Sequence, residues 1–567
     1  MRLGILVDSA NIEGWQRFAL DKILIDDHFD VIIAIENRAV SAHDHGRGGS
    51  VNLWPAINAL ENRLSKYLYK RVFKHKLSQN DQTGNLIEMA KDANWMTISQ
   101  MDRPFNGAPG GTLEISGKDV ARIAASDLDV LVNLSSAPLK GAVLKTARHG
   151  IWEFRYGRNN PESSVTPGFW EIYNSEPVCR VDLVRQTNAK AAKEIIKTGI
   201  YRTFYWSWNE NARKLKYRSS WLLIDSLTAL AKSGGENFRS ASCRGSSNPN
   251  ANLRGEPSAL QSLTTVTSYF TRLAWEKARR YFYNDKWSIF VQEGTSANAA
   301  WNTSQKIEPP DECYWADPFL IKRDGKHYIF FEEYGFTQRK GFISYIELPS
   351  PLNQNQLENI SSKTVIDCDY HMSYPFLLEH EGELYMIPES SENHTISLWK
   401  CDQFPDTWTK QKDLIKGISA VDSTLVFWNE KWWMFTNVDR TGAGEHYTEL
   451  NIYHADDPIS GEWVAHTQNP VVTDVTRARM AGNFIKLPDG RLIRCNQVIK
   501  TYYGEAIGMQ EVIELSETQY EEKPYNKIEA NWRKDIYRNH HTDSRDGLAV
   551  IDACRHVFKL KLPLFRS

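Results

Sequence analysis

No stretch of the 567-residue chain approaches the roughly twenty apolar residues that a bilayer-spanning helix needs. The amino terminus, Met1-Arg-Leu-Gly-Ile-Leu-Val-Asp8, enters a strand-like run directly, without the apolar core and small-residue cleavage site of a secretory leader. Neither sign of charge is in excess: 68 Lys and Arg stand against 70 Asp and Glu, a formal net charge of −2. That leaves no basic field of the kind that neutralises phosphates along a duplex, so nucleic acid is not an expected partner. Cysteine is sparse, at 179, 243, 313, 368, 401, 495 and 554, with an odd total and no C-x-x-C pair. Such spacing fits reduced thiols rather than a disulfide framework or a zinc site. A cytoplasmic location follows as the expectation. Also missing are a G-x-G-x-x-G after the first strand and a phosphate loop, so dinucleotide binding is not supported. Neither a cofactor nor a metal is expected.

What is present is ample material for packed interiors, 41% hydrophobic residues and 12% aromatic, in a chain too long for one core. The opening third alternates apolar runs with helical stretches, the pattern of a parallel sheet with crossover helices. Strands are predicted at Leu3 to Val7, Val31 to Ile35, Met96 to Ile98 and Val130 to Leu134. Ile57, Leu60, Leu64, Leu68 and Val72 recur at helical spacing. Ala189 to Thr198 and the run from Trp221 read as amphipathic helices; residues 233–257 concentrate Ser, Gly, Asn and Pro, the composition of a linker. A helix from about Ser258 to Tyr283 leads into the second domain. The expected organisation is an α/β domain at 1–232, linker and connecting helix at 233–283, and a further domain at 284–567.

Three segments narrow the first domain: Asp129-Val-Leu-Val-Asn-Leu-Ser-Ser-Ala-Pro-Leu139, residues 147–158 around Trp152-Glu-Phe-Arg155, and Pro167-Gly-Phe-Trp-Glu-Ile-Tyr173. Together they resemble the core of the formyltransferase family, which implies a Rossmann-like fold. The family places an Asn and a His a residue apart in the stretch that Trp152, Glu153, Phe154 and Arg155 occupy here. The resemblance therefore implies the fold and argues against the reaction, since a lost acid/base group costs orders of magnitude in rate.

The second half repeats an apolar strand, a tight turn and a second apolar strand at 315–332, 373–389, 421–436 and 481–494. A period of about fifty to sixty residues built from hairpins is the signature of propeller blades. A further unit joins Trp287 to Val291 with Gly547 to Ala553 and closes the ring as a clasp, which removes free sheet edges. Five blades is the preferred count, with four and six as neighbours. The fold class is thus multidomain, α/β followed by an all-β five-bladed propeller.

Acidic residues fall where a central channel would use them. Asp317 opens the innermost strand of the first blade, Glu389 ends the second strand of the second, and Asp422 opens the innermost strand of the third. Asp317 and Asp422 should therefore approach one another, with Glu389 nearby. Paired carboxylates at close range are what glycosyl transfer requires, one as base, nucleophile or stabiliser and the other as acid. The bland alternative is that Asp-Pro at a strand entry only forms a turn. Arg477 and Arg479 precede the fourth inner strand and suit an anionic donor group, or else a salt bridge to a channel acid. His540, His541 and Asp543 lead into the closing strand and could supply a proton shuttle or ligate an ion, or else be surface or structural residues. Tyr374, His371 and His541 are candidate sugar contacts around the channel.

Trp-Ala-Asp-Pro at 315–318 resembles the first-blade motif of the five-bladed furanosidases, and Pro388-Glu389 is a weaker echo of their acid motif. Invertases place Arg-Asp-Pro in the second blade, where this chain has Ser373-Tyr374-Pro375. Residues from about 284 to 560, with Val-Asp-Ser-Thr at 421–424 and Arg-Met-Ala-Gly-Asn at 479–483, resemble the propeller domain of glucosamine inositolphosphorylceramide transferases and their bacterial relatives. That resemblance implies a glycosyltransferase of bacterial surface-polysaccharide or glycolipid assembly, with an activated sugar donor, a glycan or glycolipid acceptor, and peripheral membrane association left open. Opposed readings are a furanoside-type glycoside hydrolase using the same residues, and a non-catalytic glycan-binding or assembly protein.

Overall fold

The computed structural model describes residues 1–38, 54–68, 83–99, 113–135, 138–157, 167–187, 193–234, 257–442 and 444–559. The chain divides into two compact units, Met1–Ala274 and Trp275–Ser567. The division falls inside the helix Ala259–Phe282, whose buried Ser262, Thr265 and Tyr269 precede it. Most of the sequence-predicted linker, 235–256, lies outside the described residues, as do Val72 and Cys243.

The first unit is built on a seven-stranded sheet. Arg2–Val7 is central; Asp30–Arg38 and Asn94–Ser99 follow on one side, Val130–Asn133 and Ile151–Tyr156 on the other, all five parallel. Val178–Gln186 and Glu194–Arg202 extend it as antiparallel strands. Arg2–Val7 and Val130–Asn133 are apolar and almost wholly buried, as parallel strands covered on both faces must be. The four predicted strands are present. The helix expected over 189–198 is not: residues 188–192 lie outside the described set, and Glu194–Arg202 is an edge strand. Ile195, Ile196, Thr198 and Ile200 are β-branched, and pairing with Val178–Gln186 overrode the helical spacing. Helix Trp208–Lys232 is capped by Ser207, whose side chain accepts from the Glu210 amide, and it buries Leu215, Leu222, Leu223, Leu227 and Leu230.

The second unit is a five-bladed propeller. Blades one to four each take their strands in chain order from the inside outward, beginning at Cys313–Arg323, Ser373–His380, Ala420–Trp428 and Ile485–Lys486. The fifth is shared between the two ends of the unit: Tyr283–Glu293 pairs antiparallel with Leu548–Phe558 over eleven residues, from Tyr283 opposite Phe558 to Glu293 opposite Leu548. Ile536–Arg538 and Thr542–Arg545 pair along the inner side of Leu548–Phe558. Ring closure is thus a clasp of the kind the sequence predicts. Six described cysteines are free, and no helix of the described residues is long and apolar enough to cross a membrane.

Candidate active site at the propeller rim

Three consecutive inner strands carry the same irregularity. Each has a register shift, between Ala316 and Phe319, Ser373 and Phe376, and Val421 and Thr424. Within each shift one non-glycine residue takes a positive φ: Asp317 at 51°, Tyr374 at 46° and Asp422 at 54°. A bulge re-aims the side chain of the extra residue, and left-handed backbone at a non-glycine residue is uncommon enough to call for a reason. The strands begin before these residues, so Asp317 and Asp422 sit inside their strands, at the bulge, rather than opening them. In the fourth blade the corresponding residue is Gly482, with φ 119°, where an added Cβ would lie 1.9 Å from the Thr542 carbonyl oxygen.

A residue just ahead of the positive-φ position, one before it in blades one to three and two before it in the fourth, faces a fixed partner on the second strand, sixteen residues later. Ala316 faces Glu332, Ser373 faces Glu389, Val421 faces Asn437, and Met480 bridges to Asn496. Glu332 is therefore the first-blade equivalent of Glu389. Sequence reasoning missed it, although counting that interval onward from Ala316 would have found it. Asn437 and Asn496 are spent on the framework. Asn437 donates to the carbonyls of Glu449 and Ala478 and accepts from the Met480 amide, and Asn496 donates to the Thr476 carbonyl.

Asp317 and Asp422 are buried, and each has its own cation. Asp317 Oδ1 lies 3.0 Å from His540 Nε2, and His540 Nδ1 lies 3.1 Å from Asp552 Oδ2. Asp552, fully buried, also accepts from the backbone amides of Asp317, His540 and His541. Burial alone would lower the His540 pKa, but Asp552 and Asp317 outweigh it and hold the imidazolium at about 10. Burial likewise works to raise Asp317, yet His540, His541 and Arg479 bring it down to about 2. Asp422 receives Arg479 Nε at 2.6 Å and Nη2 at 3.3 Å, with Gln497 Nε2 at 3.2 Å. Its pKa nonetheless rises to about 6, because burial and the nearby Glu389 and Asp317 outweigh the guanidinium.

Two further carboxyls border this pair. Glu389 is half-buried and accepts from Ser373 Oγ and Ser391 Oγ, both at 2.9 Å. Burial raises it, against the pull of Arg479 and the serines, and Asp317 adds to the rise. Glu332 is buried and pushed well above the usual carboxylate range by burial, then by Asp317 and Glu389. His371 accepts the Gly341 amide on Nδ1 and lies 3.6 Å from Glu332 through Nε2. Accepting on Nδ1 fixes the neutral tautomer with its proton on Nε2, toward Glu332, and burial lowers its pKa. Tyr503, which the sequence reading also missed, packs its ring 5.3 Å from the Arg479 guanidinium and 5.0 Å from His540. The arrangement joins one carboxylate held low, Asp317, three carboxyls raised above their usual range, Asp422, Glu389 and Glu332, and the cations His540 and Arg479, a division of roles typical of acid/base sites.

Asp317, His540 and Asp552 also have the residue types and proximity to surround a cation. Here they satisfy one another instead, since His540 stands as the charge between the two carboxylates.

Residues 299–548 match the family described as Glucosamine inositolphosphorylceramide transferase 1, N-terminal. Curated relatives of that name from Oryza sativa subsp. japonica and Arabidopsis thaliana are each 30% identical to this chain, over 252 and 255 residues. The alignments cover 42% and 43% of this chain and 33% and 32% of those proteins, so the chain spans about a third of the length of the curated relatives it matches. Among solved structures, the alpha-L-arabinofuranosidase of Podospora anserina aligns over 42% of this chain and 90% of its own, at 11% identity and TM-score 0.31. The catalytic domain of a Coprinopsis cinerea alpha-L-arabinofuranosidase aligns over 47% and 97%, at 12% identity and TM-score 0.34. Overlap at that level carries no argument about function. The family match includes Asp317, Glu332, Glu389, Asp422, Arg479 and His540.

Five candidate residues need correction. Tyr374 and His541 are wholly buried and offer no face to a sugar. The Tyr374 hydroxyl pairs with Thr424 Oγ1 at 2.7 Å and accepts the Gly482 amide at 3.0 Å, while its ring packs on Phe319 and His541. Tyr374 therefore ties three blades together where the invertase pattern has a carboxylate. Arg477 is held by Asp474 and Glu522, so its fork is already filled. Arg479 forks onto Asp422, the salt bridge rather than the anion contact. Asp543 accepts the Leu320 amide and the Asn483 side chain, a structural latch.

The buried imidazolium gives a pH signature. A pKa raised in the fold from about 6.5 to about 10 means stability that is fully present below the lower value and lost as pH rises through the higher. Thermal unfolding between pH 7 and pH 10 should show a falling midpoint in the wild type and a flatter one in His540→Gln; parallel curves would count against the charged His540.

Proposed function

We propose that the propeller rim is a glycosyl-transfer site, in an enzyme that builds a glycolipid or a surface polysaccharide from an activated sugar donor. The observation that carries this is the unequal setting of two neighbouring carboxyls, Asp317 on the bulge of an inner strand and held low by His540, and Glu389 at the end of a second strand and held high by burial. A carboxylate with a pKa near 2 is a poor proton acceptor, so within this reading Asp317 is the nucleophile or the stabiliser of an oxocarbenium-like transition state. Glu389, half-buried and proton-retaining, is the acid that protonates the departing oxygen. Asp422 with Arg479 tunes both, and Glu332 with His371 supports the proton on Glu389. The relatives' printed names, which describe transfer to inositolphosphorylceramide, suggest a glycolipid acceptor. The first unit is read as a formyltransferase-type scaffold without that family's Asn and His. In it Glu153 instead binds Asn133 and Lys193.

A second reading is a glycan-binding module, favoured by the match being to a family described as N-terminal and covering about a third of the transferases' length. The dependence on leaving group separates the two. Glu389→Gln should lose about 10²–10⁴-fold in rate on a donor whose leaving oxygen needs a proton, and little on an activated aryl glycoside. Equal losses on both would remove Glu389 from the acid role, and no turnover of either by the wild type would favour the binding module.

A further inference from the structure

Among the described residues of the second unit, eleven large apolar or aromatic side chains are exposed, and six of them fall on two short stretches. Trp275, Tyr281, Phe282 and Tyr283 lie on the end of the helix Ala259–Phe282 and the start of the next strand. Val557 and Phe558 end the strand that pairs with it, Phe558 opposite Tyr283. Tyr281, Phe282, Tyr283 and Phe558 form one connected group, and Trp275 lies seven residues before Phe282, on the same side of the helix. Tyr281 packs on Phe282 at 5.0 Å, Phe282 stacks on Phe558 at 6.2 Å, and Tyr283 meets Phe558 at 5.4 Å. Trp275 and Tyr281 are each 73% exposed. Single exposed apolar side chains need no explanation, but a contiguous group does.

Charge around the patch has one predominant sign. Trp275–Phe282 carries Lys277, Arg279 and Arg280 against Glu276 alone, in a chain whose net charge is −2. Arg279 is held by Glu276 and Asp285; Arg280, though paired with Glu276, leaves three-quarters of its side chain exposed. Lys277 is exposed, and exposed Lys559 is tied by hydrogen bonds to the carbonyls of Arg280 and Phe282. The sequence from Lys559 to Ser567 alternates Lys559, Lys561 and Arg566 with Leu560, Leu562, Leu564 and Phe565 and contains no acid. Tryptophan and tyrosine amid lysine and arginine is the composition of a surface that sits at lipid headgroups, apolar rings inward and cations on the phosphates. The core of a protein–protein interface is instead depleted in lysine.

We propose that Trp275, Tyr281, Phe282 and Phe558, rimmed by Lys277, Arg280 and Lys559, dock the protein on the surface of an anionic lipid bilayer. The inference rests on exposure and charge and not on the reaction proposed above, so each can fail without the other. It is tested by flotation of the full chain with vesicles of phosphatidylcholine alone and of phosphatidylcholine with phosphatidylserine. The wild type should float with the anionic vesicles, less so at high salt. Binding should fall at least about tenfold when Trp275→Ser and Tyr281→Ser are combined, and as much when Lys277→Glu and Arg280→Glu are combined. The thermal midpoint should stay unchanged in both, because the altered side chains are largely exposed. Failure of the wild type to float, or equal flotation of the variants, would overturn the proposal. So would a wild-type dimer in light scattering that the Trp275→Ser, Tyr281→Ser protein cannot form, since that assigns the patch to a second copy.

Discussion

Alanine at Asp552 is expected to destabilise the propeller by about 4 kcal/mol or more, and to leave much of the protein insoluble. The side chain is fully buried and accepts three backbone amides, those of Asp317, His540 and His541. Removing it leaves three donors without a partner, each costing roughly 1–3 kcal/mol when buried, and it takes one of two counter-charges from His540. The residue also sits on the clasp strand, opposite Ile289, and ties that blade to the inner strand of the first. Loss of Asp552 therefore acts at the point where the ring closes. Chemical denaturation of Asp552→Ala and Asp552→Asn measures it, with the asparagine expected between wild type and alanine because its amide oxygen still accepts. A loss below about 1 kcal/mol for alanine would mean that water replaces the carboxylate, contrary to a closed, dry clasp.

The second large effect is on rate. Asp317→Asn is expected to lower kcat by about three orders of magnitude or more with the fold intact. Asparagine tolerates the left-handed backbone that position 317 requires, and its volume matches. His540 keeps Asp552 as a counter-charge, so the buried cation is not abandoned. What is lost is the negative charge beside His540. Because Asp317 raises Glu332 and Glu389 through repulsion, the variant should also shift the limb of the pH–rate profile set by Glu389 toward lower pH. A structural role alone would lower stability without moving that limb.

Much of the architecture was legible because blade hairpins write themselves in period-two apolar runs with turn residues between, and four of them recur at 315, 373, 421 and 481. The clasp was legible for the same reason, since Trp287 to Val291 and Gly547 to Ala553 are unpaired strand-like runs at the two ends of one domain. The edge strand Glu194–Arg202 was not, because the short apolar pattern of Ile195, Ile196 and Ile200 fits a helix and a strand alike, and only its neighbour decides. The proximity of Asp317, Glu389 and Asp422 was legible from their places in the hairpins. Glu332 was hidden by its neighbour Glu333 and needed the sixteen-residue interval that pairing imposes. Tyr374 and His541 misled because sequence does not report burial: aromatic and imidazole side chains at an axis can line a channel or, as here, fill it. Tyr374 holds blades two, three and four together through Thr424 and Gly482.

Product mass spectrometry tests directly whether the chemistry belongs to the propeller and passes through Asp317. The full chain and Asp317→Asn would be incubated with sugar nucleotides, sugar phosphates and aryl furanosides. The predicted result is donor breakdown or transfer by the wild type that disappears in the variant. Turnover that survives in Asp317→Asn would contradict the claim and move the chemistry away from that carboxylate.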